Sequence, residues 1–341
     1  MLTIAYIGNG KSTNRYHLPF VLQRKDKIKV KKIFARHPEK LEWDRIPGVL
    51  YTDNINELLH DEEIDLIVIC TRDDNDLHYN YAKMVLESNK HCLVEKPFMS
   101  SAAQAREIFS LAGERNLIVQ AYQNRRFDSD FLTVKKVIES GKLGELLELE
   151  MHFDYYRPEI PESVREFQPE MSYLYGHGCH TLDQVISYFG KPENIHYDVR
   201  QLLGEGRMND YFDLDLYYGN FKVSVKSSYF RVKERPSFVI YGKKGYFEKV
   251  TKDRQEEHLK VFYMPDNKDF GIDLPEHYGT LIYYDNDGQY HEEKVVSERG
   301  DYGRVYDDLY EAVIHGKEKT ITDEQTLLQM EILEEGIRNL K

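Results

Sequence analysis

Over its first 122 residues the chain alternates short apolar runs with amphipathic stretches at nearly regular intervals. Residues 2–7, 29–35, 65–70, 91–94 and 117–121 read as buried strands, and 13–23, 55–60, 77–87 and 102–115 have helical spacing. Few folds satisfy such a pattern. Strands that are apolar on both faces need helices above and below, which means a parallel sheet with helical crossovers.

The first strand runs into Gly8-Asn9-Gly10-Lys11-Ser12-Thr13 and then into a helix. Glycines at that junction let backbone N–H groups approach a pyrophosphate at the helix N-terminus. Thr13 stands where a third glycine is usual, and Lys11, Ser12 and Thr13 can add a charge and hydroxyl donors. The ligand this arrangement suggests is a nicotinamide dinucleotide. A carboxylate at the tip of the second strand would hold the 2′-hydroxyl of NAD, but the strand ends Ala35-Arg36-His37. Arg36 suits a 2′-phosphate, so NADP is favoured over NAD. The fourth apolar strand ends Glu95-Lys96-Pro97. Ligands on such sheets sit outside the carboxyl ends of the strands, where Lys96 can donate to a carbinol or carbonyl oxygen and stabilise alkoxide charge.

After Tyr122 the texture changes. Residues 129–140 read as a helix, followed by alternating segments at 146–156, 195–203, 211–218, 222–230 and 237–241. Gly242–Gly245 and residues 286–288 read as hairpin turns, glycine and asparagine readily supplying a positive φ. Two amphipathic helices, 302–314 and 323–340, close the chain. The expected fold is α/β: a dinucleotide-binding domain over 1–122 and a second α/β domain over 123–341 with a large, mostly antiparallel sheet.

A net charge of −13 argues against a nucleic-acid surface and weakly against anionic membranes. No apolar run approaches the roughly 20 residues of a membrane span. Cys70, Cys92 and Cys179 are odd in number with no CxxC pair, as in reduced proteins, and no metal site is expected. The expected location is the cytoplasm.

In their order, Gly8–Thr13, Glu95-Lys96-Pro97, Asn124-Arg125-Arg126-Phe127 and Gly178-Cys179-His180-Thr181-Leu182-Asp183 give the chain a resemblance to the Gfo/Idh/MocA oxidoreductases. The runs at 10–13, 15–19 and 152–158 are similar to the YhhX-type members. The resemblance implies a Rossmann domain, then an α/β domain whose open sheet often joins subunits into a homodimer or higher homo-oligomer. It implies hydride exchange between NAD(P) and a sugar, inositol or related polyol. Lys96 matches the family's active-site lysine, with Lys96–Pro97 a candidate cis bond, and His180 its proton-transfer histidine.

Many relatives carry aspartate four residues before that histidine, where this chain has Gly176. Asp183 can orient the His180 ring or brace the helix, and His177 is a rival acid/base. Asn124 is a candidate cofactor contact, while Arg125, Arg157 and His177 join His180 and Lys96 as candidate substrate contacts. Tyr122, Tyr155 and Tyr156 are further candidates for the substrate wall. Thr71 and Arg72, in a polar run over 71–78 that looks longer than in relatives, can touch the diphosphate or the nicotinamide ribose. Glu95 and Pro97 join the cofactor set, and His78 reads as structural. Two other functions on this scaffold stay open: a non-catalytic dinucleotide sensor, and a hydrolase or lyase that retains its NAD.

Overall fold

The computed structural model describes every residue except Leu41, Asp73, Asp74, Asn75, Arg165 and Lys341. Part of the polar run at 71–78 therefore lies outside the described residues. The chain divides into two compact units: Met1–Asn124 with Leu259–Lys268 and Tyr302–Met330, and Arg125–His258 with Asp269–Asp301 and Glu331–Lys341.

The first unit is built on β1 (Leu2–Ile7), β2 (Ile28–Phe34), β3 (Leu50–Thr52), β4 (Leu66–Ile69), β5 (His91–Val94) and β6 (Val119–Ala121). They pair in parallel in the order β3-β2-β1-β4-β5-β6, the doubly wound Rossmann arrangement. The apolar runs of β1 and β4 are almost entirely buried, as two covered faces require. Strand order reverses between β1 and β4, which opens a crevice at their carboxyl ends.

Strand β3, only three residues long, is too short to show a period and was not expected from the sequence. The helix expected over 13–23 is instead a π-helical turn Thr13–His17, an α-helix Leu18–Val21 and a 3₁₀ turn Leu22–Arg24. Pro19 has no N–H to return to the Arg15 carbonyl, so a continuous α-helix cannot pass through it.

The second unit carries β7 (Leu146–His152), β8 (Asn194–Arg200), β9 (Tyr211–Tyr218), β10 (Phe221–Ser228), β11 (Phe238–Gly242), β12 (Gly245–Lys249), β13 (Gly279–Tyr284) and β14 (Tyr290–Val295). Their order is β14-β13-β12-β11-β7-β10-β9-β8, antiparallel throughout except for the parallel β7–β10 pair. In β9 the alternation is plain: Phe212, Leu214 and Leu216 are buried while Asp213, Asp215 and Tyr217 are partly exposed. The helix Cys179–Phe189 packs against β10.

The turn between β11 and β12 is present, but its glycines serve another purpose than the one expected. Neither Gly242 nor Gly245 has a positive φ. A Cβ on Gly242 would stand 2.2 Å from the Leu143 carbonyl oxygen, so close approach rather than handedness demands glycine there. Gly288, at φ +76°, does follow the expected rule. The two hairpin turns imply strands on either side, but the sequence reading assigned no range to β12, β13 or β14. Strand β14, Tyr-His-Glu-Glu-Lys-Val, lies at the sheet edge with no buried residue, so it shows no alternation. No helix among the described residues is long and apolar enough to cross a membrane.

Candidate functional site

At the carboxyl ends of β1, β2 and β4 lies a groove of about 540 Å³, lined by Gly8, Gly10, Arg36, Thr71 and Arg72 among others. Gly8 has φ +112°, and a Cβ there would lie 2.4 Å from the Cys70 carbonyl oxygen. It is glycine so that the turn can close onto β4. A Cβ on Gly10 would meet nothing within 4 Å, so the backbone there is bare and could be approached closely by a ligand. Lys11 is exposed. The hydroxyls expected to add phosphate donors are committed inside the protein. Thr13, fully buried, donates to the Gly8 carbonyl at 2.9 Å, and Ser12 donates to Glu95. The Gly8 amide donates to the Phe34 carbonyl at 3.0 Å, so the donors this turn can offer a pyrophosphate are its later backbone amides and the exposed Lys11.

His37, Lys40, Glu42 and Tyr81 also line the groove. Sequence reasoning passed over His37, Lys40 and Glu42 because 37–49 is irregular and carries no periodic signal, and over Tyr81 because helical spacing alone does not show that it faces the groove. Arg36 and Lys40 bring two cations to this end against the one carboxylate of Glu42, which fits a phosphorylated ligand, while backbone amides and bare glycine fit the diphosphate.

Below the groove, Glu95 is buried and accepts from within the unit. His17 Nε2 lies 3.1 Å from its Oε1, and the Lys96 amide donates to its Oε2 at 2.8 Å. The other ring nitrogen, Nδ1, is 2.7 Å from the Tyr306 hydroxyl, which is 3.0 Å from that of Tyr6. The His17 ring stacks on Tyr122 with centroids 3.9 Å apart. Burial opposes the charge on Glu95, but the hydrogen bond and charge of His17, the Lys96 ammonium and the Ser12 hydroxyl outweigh it and hold the carboxyl down to about 2. Glu95 thus braces the Lys96 backbone rather than opening onto the groove. Pro97 is buried too, in a cis Lys96–Pro97 bond, and its carbonyl is 2.8 Å from His78 Nδ1. His78 Nε2 lies 3.1 Å from the Thr71 carbonyl, the structural tie expected of this residue. Lys96 is half-buried and Asn124 is buried.

In the second unit, His177 occupies a π-helical turn, Leu174–Gly178, and His180 the first turn of the helix Cys179–Phe189. His180 is 6% exposed, and Phe153 lies beside both rings. A Cβ at Gly176 would meet nothing within 4 Å, so packing at the Cβ position does not demand glycine where relatives carry aspartate. Asp183 does not orient His180. Its two oxygens accept from the Arg126 guanidinium, each at 2.7 Å, in a buried bidentate pair. Arg125, expected at the substrate, is held by Glu256 at 2.9 Å and Asp128 at 3.3 Å. Arg157 is exposed, its guanidinium 4.6 Å from the centroid of Tyr155.

The C-terminal α/β domain of an oxidoreductase family matches residues 135–340, and that family's NAD-binding Rossmann fold matches residues 2–123. The chain belongs to the Gfo/Idh/MocA oxidoreductase family. Among its relatives is the uncharacterized oxidoreductase YhhX of Escherichia coli, 45% identical, the match covering 98% of this chain and 96% of that one. A crystal structure of a probable oxidoreductase yhhX superposes with a TM-score of 0.93 at 44% identity, over 100% of this chain and 98% of the other. A scyllo-inositol 2-dehydrogenase (NADP(+)), IolW of Bacillus subtilis, is 28% identical, with coverage of 100% and 94%. Within the Gfo/Idh/MocA family, then, this chain is an oxidoreductase with a Rossmann unit of the NAD-binding type.

Proposed function

We propose that the protein transfers a hydride between NADP and a sugar, inositol or related polyol or ketone. When bound, the nicotinamide supplies or accepts the hydride. Lys96, at the end of β5, donates a hydrogen bond to the substrate oxygen and stabilises its developing negative charge. His180, in the second unit, takes the carbinol proton on oxidation and returns it on reduction. His177 and Arg157 contact the substrate. The groove at Gly8, Gly10, Arg36, Thr71 and Arg72 takes the dinucleotide.

The observation that carries the reading is the groove itself, at the sheet's switch point, with a bare Gly10 and with Arg36 at the tip of β2. The 2′-phosphate preference is further supported by Lys40 in the same groove. The open face of the second unit's sheet, where Tyr241 and Tyr284 are exposed, is the surface we assign to self-association. The decisive test is a spectrophotometric panel of sugars and inositols with NADP(H) and NAD(H), on wild type, Lys96→Met and His180→Asn. Turnover that survives both substitutions overturns the mechanism. Tight cofactor binding with no turnover on any substrate points to a sensor instead.

A further inference from the structure

Beyond β7 the chain stays extended alongside β10. The amides of Phe153, Tyr155 and Arg157 donate to the carbonyls of Lys226, Ser228 and Tyr229 at 3.1, 3.0 and 2.9 Å. Successive side chains of an extended segment point to opposite faces, so these three share one side. That side meets the histidine turn. The Phe153 ring lies 6.4 Å from His180 and 5.6 Å from Tyr155, and Tyr155 lies 5.4 Å edge-on to His177. A continuous wall thus runs from the assigned acid/base to Arg157.

Three cations stand beside this wall, and carboxylates neutralise two of them. Arg125 stands 4.9 Å from the Phe153 centroid, and Lys252 stands 4.4 Å from that of Tyr155. Arg125 is paired with Glu256 and Asp128, and Lys252 with Glu234. Arg157 has no carboxylate within ion-pair reach among the described residues, although its guanidinium is already ordered against Tyr155 at 4.6 Å. A stacked guanidinium has lost part of its rotamer freedom, and its parallel N–H groups match the two oxygens of a carboxylate or phosphate.

We infer that the substrate is an anionic polyol, a sugar acid or a sugar phosphate, and that Arg157 is the residue that selects it. The inference rests on the polyol reading above and narrows it. The aromatic wall packs on the carbon skeleton, and Arg157 takes the anionic substituent at the end farther from His180.

The test is calorimetry on the NADP-loaded protein with D-glucose, D-galactose, D-glucuronate, D-galacturonate and D-glucose 6-phosphate, alongside turnover assays of the same five. At least one anion should bind about tenfold or more tightly than its neutral parent, with that margin shrinking as KCl rises. In Arg157→Gln the margin should collapse toward one, through KM more than kcat. A margin for the uronates identifies a carboxylate, and one for the phosphate ester a phosphate. No margin for any anion, or an Arg157→Gln variant that weakens neutral and anionic sugars by the same factor, overturns the inference. Anion-selective binding without turnover upholds it while removing the hydride-transfer reading. Turnover confined to the neutral sugars does the reverse.

Discussion

His17 Nε2 sits 3.1 Å from Glu95 Oε1, so a residue of the turn after β1 and one at the end of β5 are joined inside the first unit. The pair fixes the backbone that presents Lys96. It also sets a pH dependence. The pKa of Glu95 in the folded protein is depressed to about 2, below the ordinary value of a glutamate, so its stabilisation is complete above about pH 4.5 and is lost as pH falls toward 2. Wild type should exceed Glu95→Gln in Tm at pH 6, and the gap should close by about pH 2. A gap independent of pH would show that the charge is not what stabilises.

The opposite sign holds for Asp130, buried with Asp128 and Asp253. Burial, then the Asp253 charge, push its pKa up to about 7, while the Lys249 and Arg125 cations and the Phe131 amide pull the other way. The folded state therefore keeps a proton that the unfolded chain releases near pH 4, and stability falls as pH rises from about 4 to 7. Asp130→Asn should gain on wild type across that window in urea unfolding. A constant difference from pH 4 to 8 would refute it.

The two glycines of the phosphate turn should separate folding from binding. Gly8→Ala places a Cβ 2.4 Å from the Cys70 carbonyl at a positive φ, so it should lower stability by a few kcal/mol. Gly10→Ala fills open space, so it should fold normally yet bind dinucleotide about tenfold or more weakly. Thermal melts with and without NADPH distinguish the two outcomes.

Trp43 is the only tryptophan, next in sequence to Glu42 of the groove and packed 5.2 Å from Phe262. Its emission should report cofactor binding directly. Titration should give a lower Kd for NADPH than for NADH. Arg36→Gln should remove on the order of 10- to 100-fold of that preference. Equal affinities in wild type would dismiss the assignment of Arg36 to a 2′-phosphate.

The Arg126–Asp183 pair is buried on both sides, with side-chain exposures of 5% and 2%. Removing one partner strands the other charge, so Arg126→Met or Asp183→Leu alone should cost about 3–5 kcal/mol. The double variant should recover a large part of this in denaturant unfolding. Full additivity of the two losses would mean that the contact contributes nothing.

Much of the Rossmann unit could be read from the sequence because its strands are apolar runs and the turn after β1 opens on Gly8, where sterics leave no alternative to glycine. Gly8, Gly10, Arg36, Thr71 and Arg72 were all named and all line one groove. Lys40 and Glu42 were not, since they come from an irregular stretch whose path is set by tertiary contact. The roles of Asp183 and Arg126 were also beyond reach, because a sequence shows that charges exist but not which are spent on each other. The hairpin turn at 286–288 implied β14, but its bounds could not be read, because an edge strand with no buried residue carries no period to detect.

The first unit is not continuous in sequence: Tyr306, which meets His17, lies in the stretch Tyr302–Met330, after most of the second unit. On the ribosome the chain must wait. The six strands of the Rossmann sheet emerge within the first 121 residues, but the hydroxyl that meets His17 is translated about 180 residues later. A fragment ending at Asn124 would expose the surface that the helix Arg304–His315 covers. Cofactor domains of this design should therefore be cut out for separate expression only with that helix grafted back.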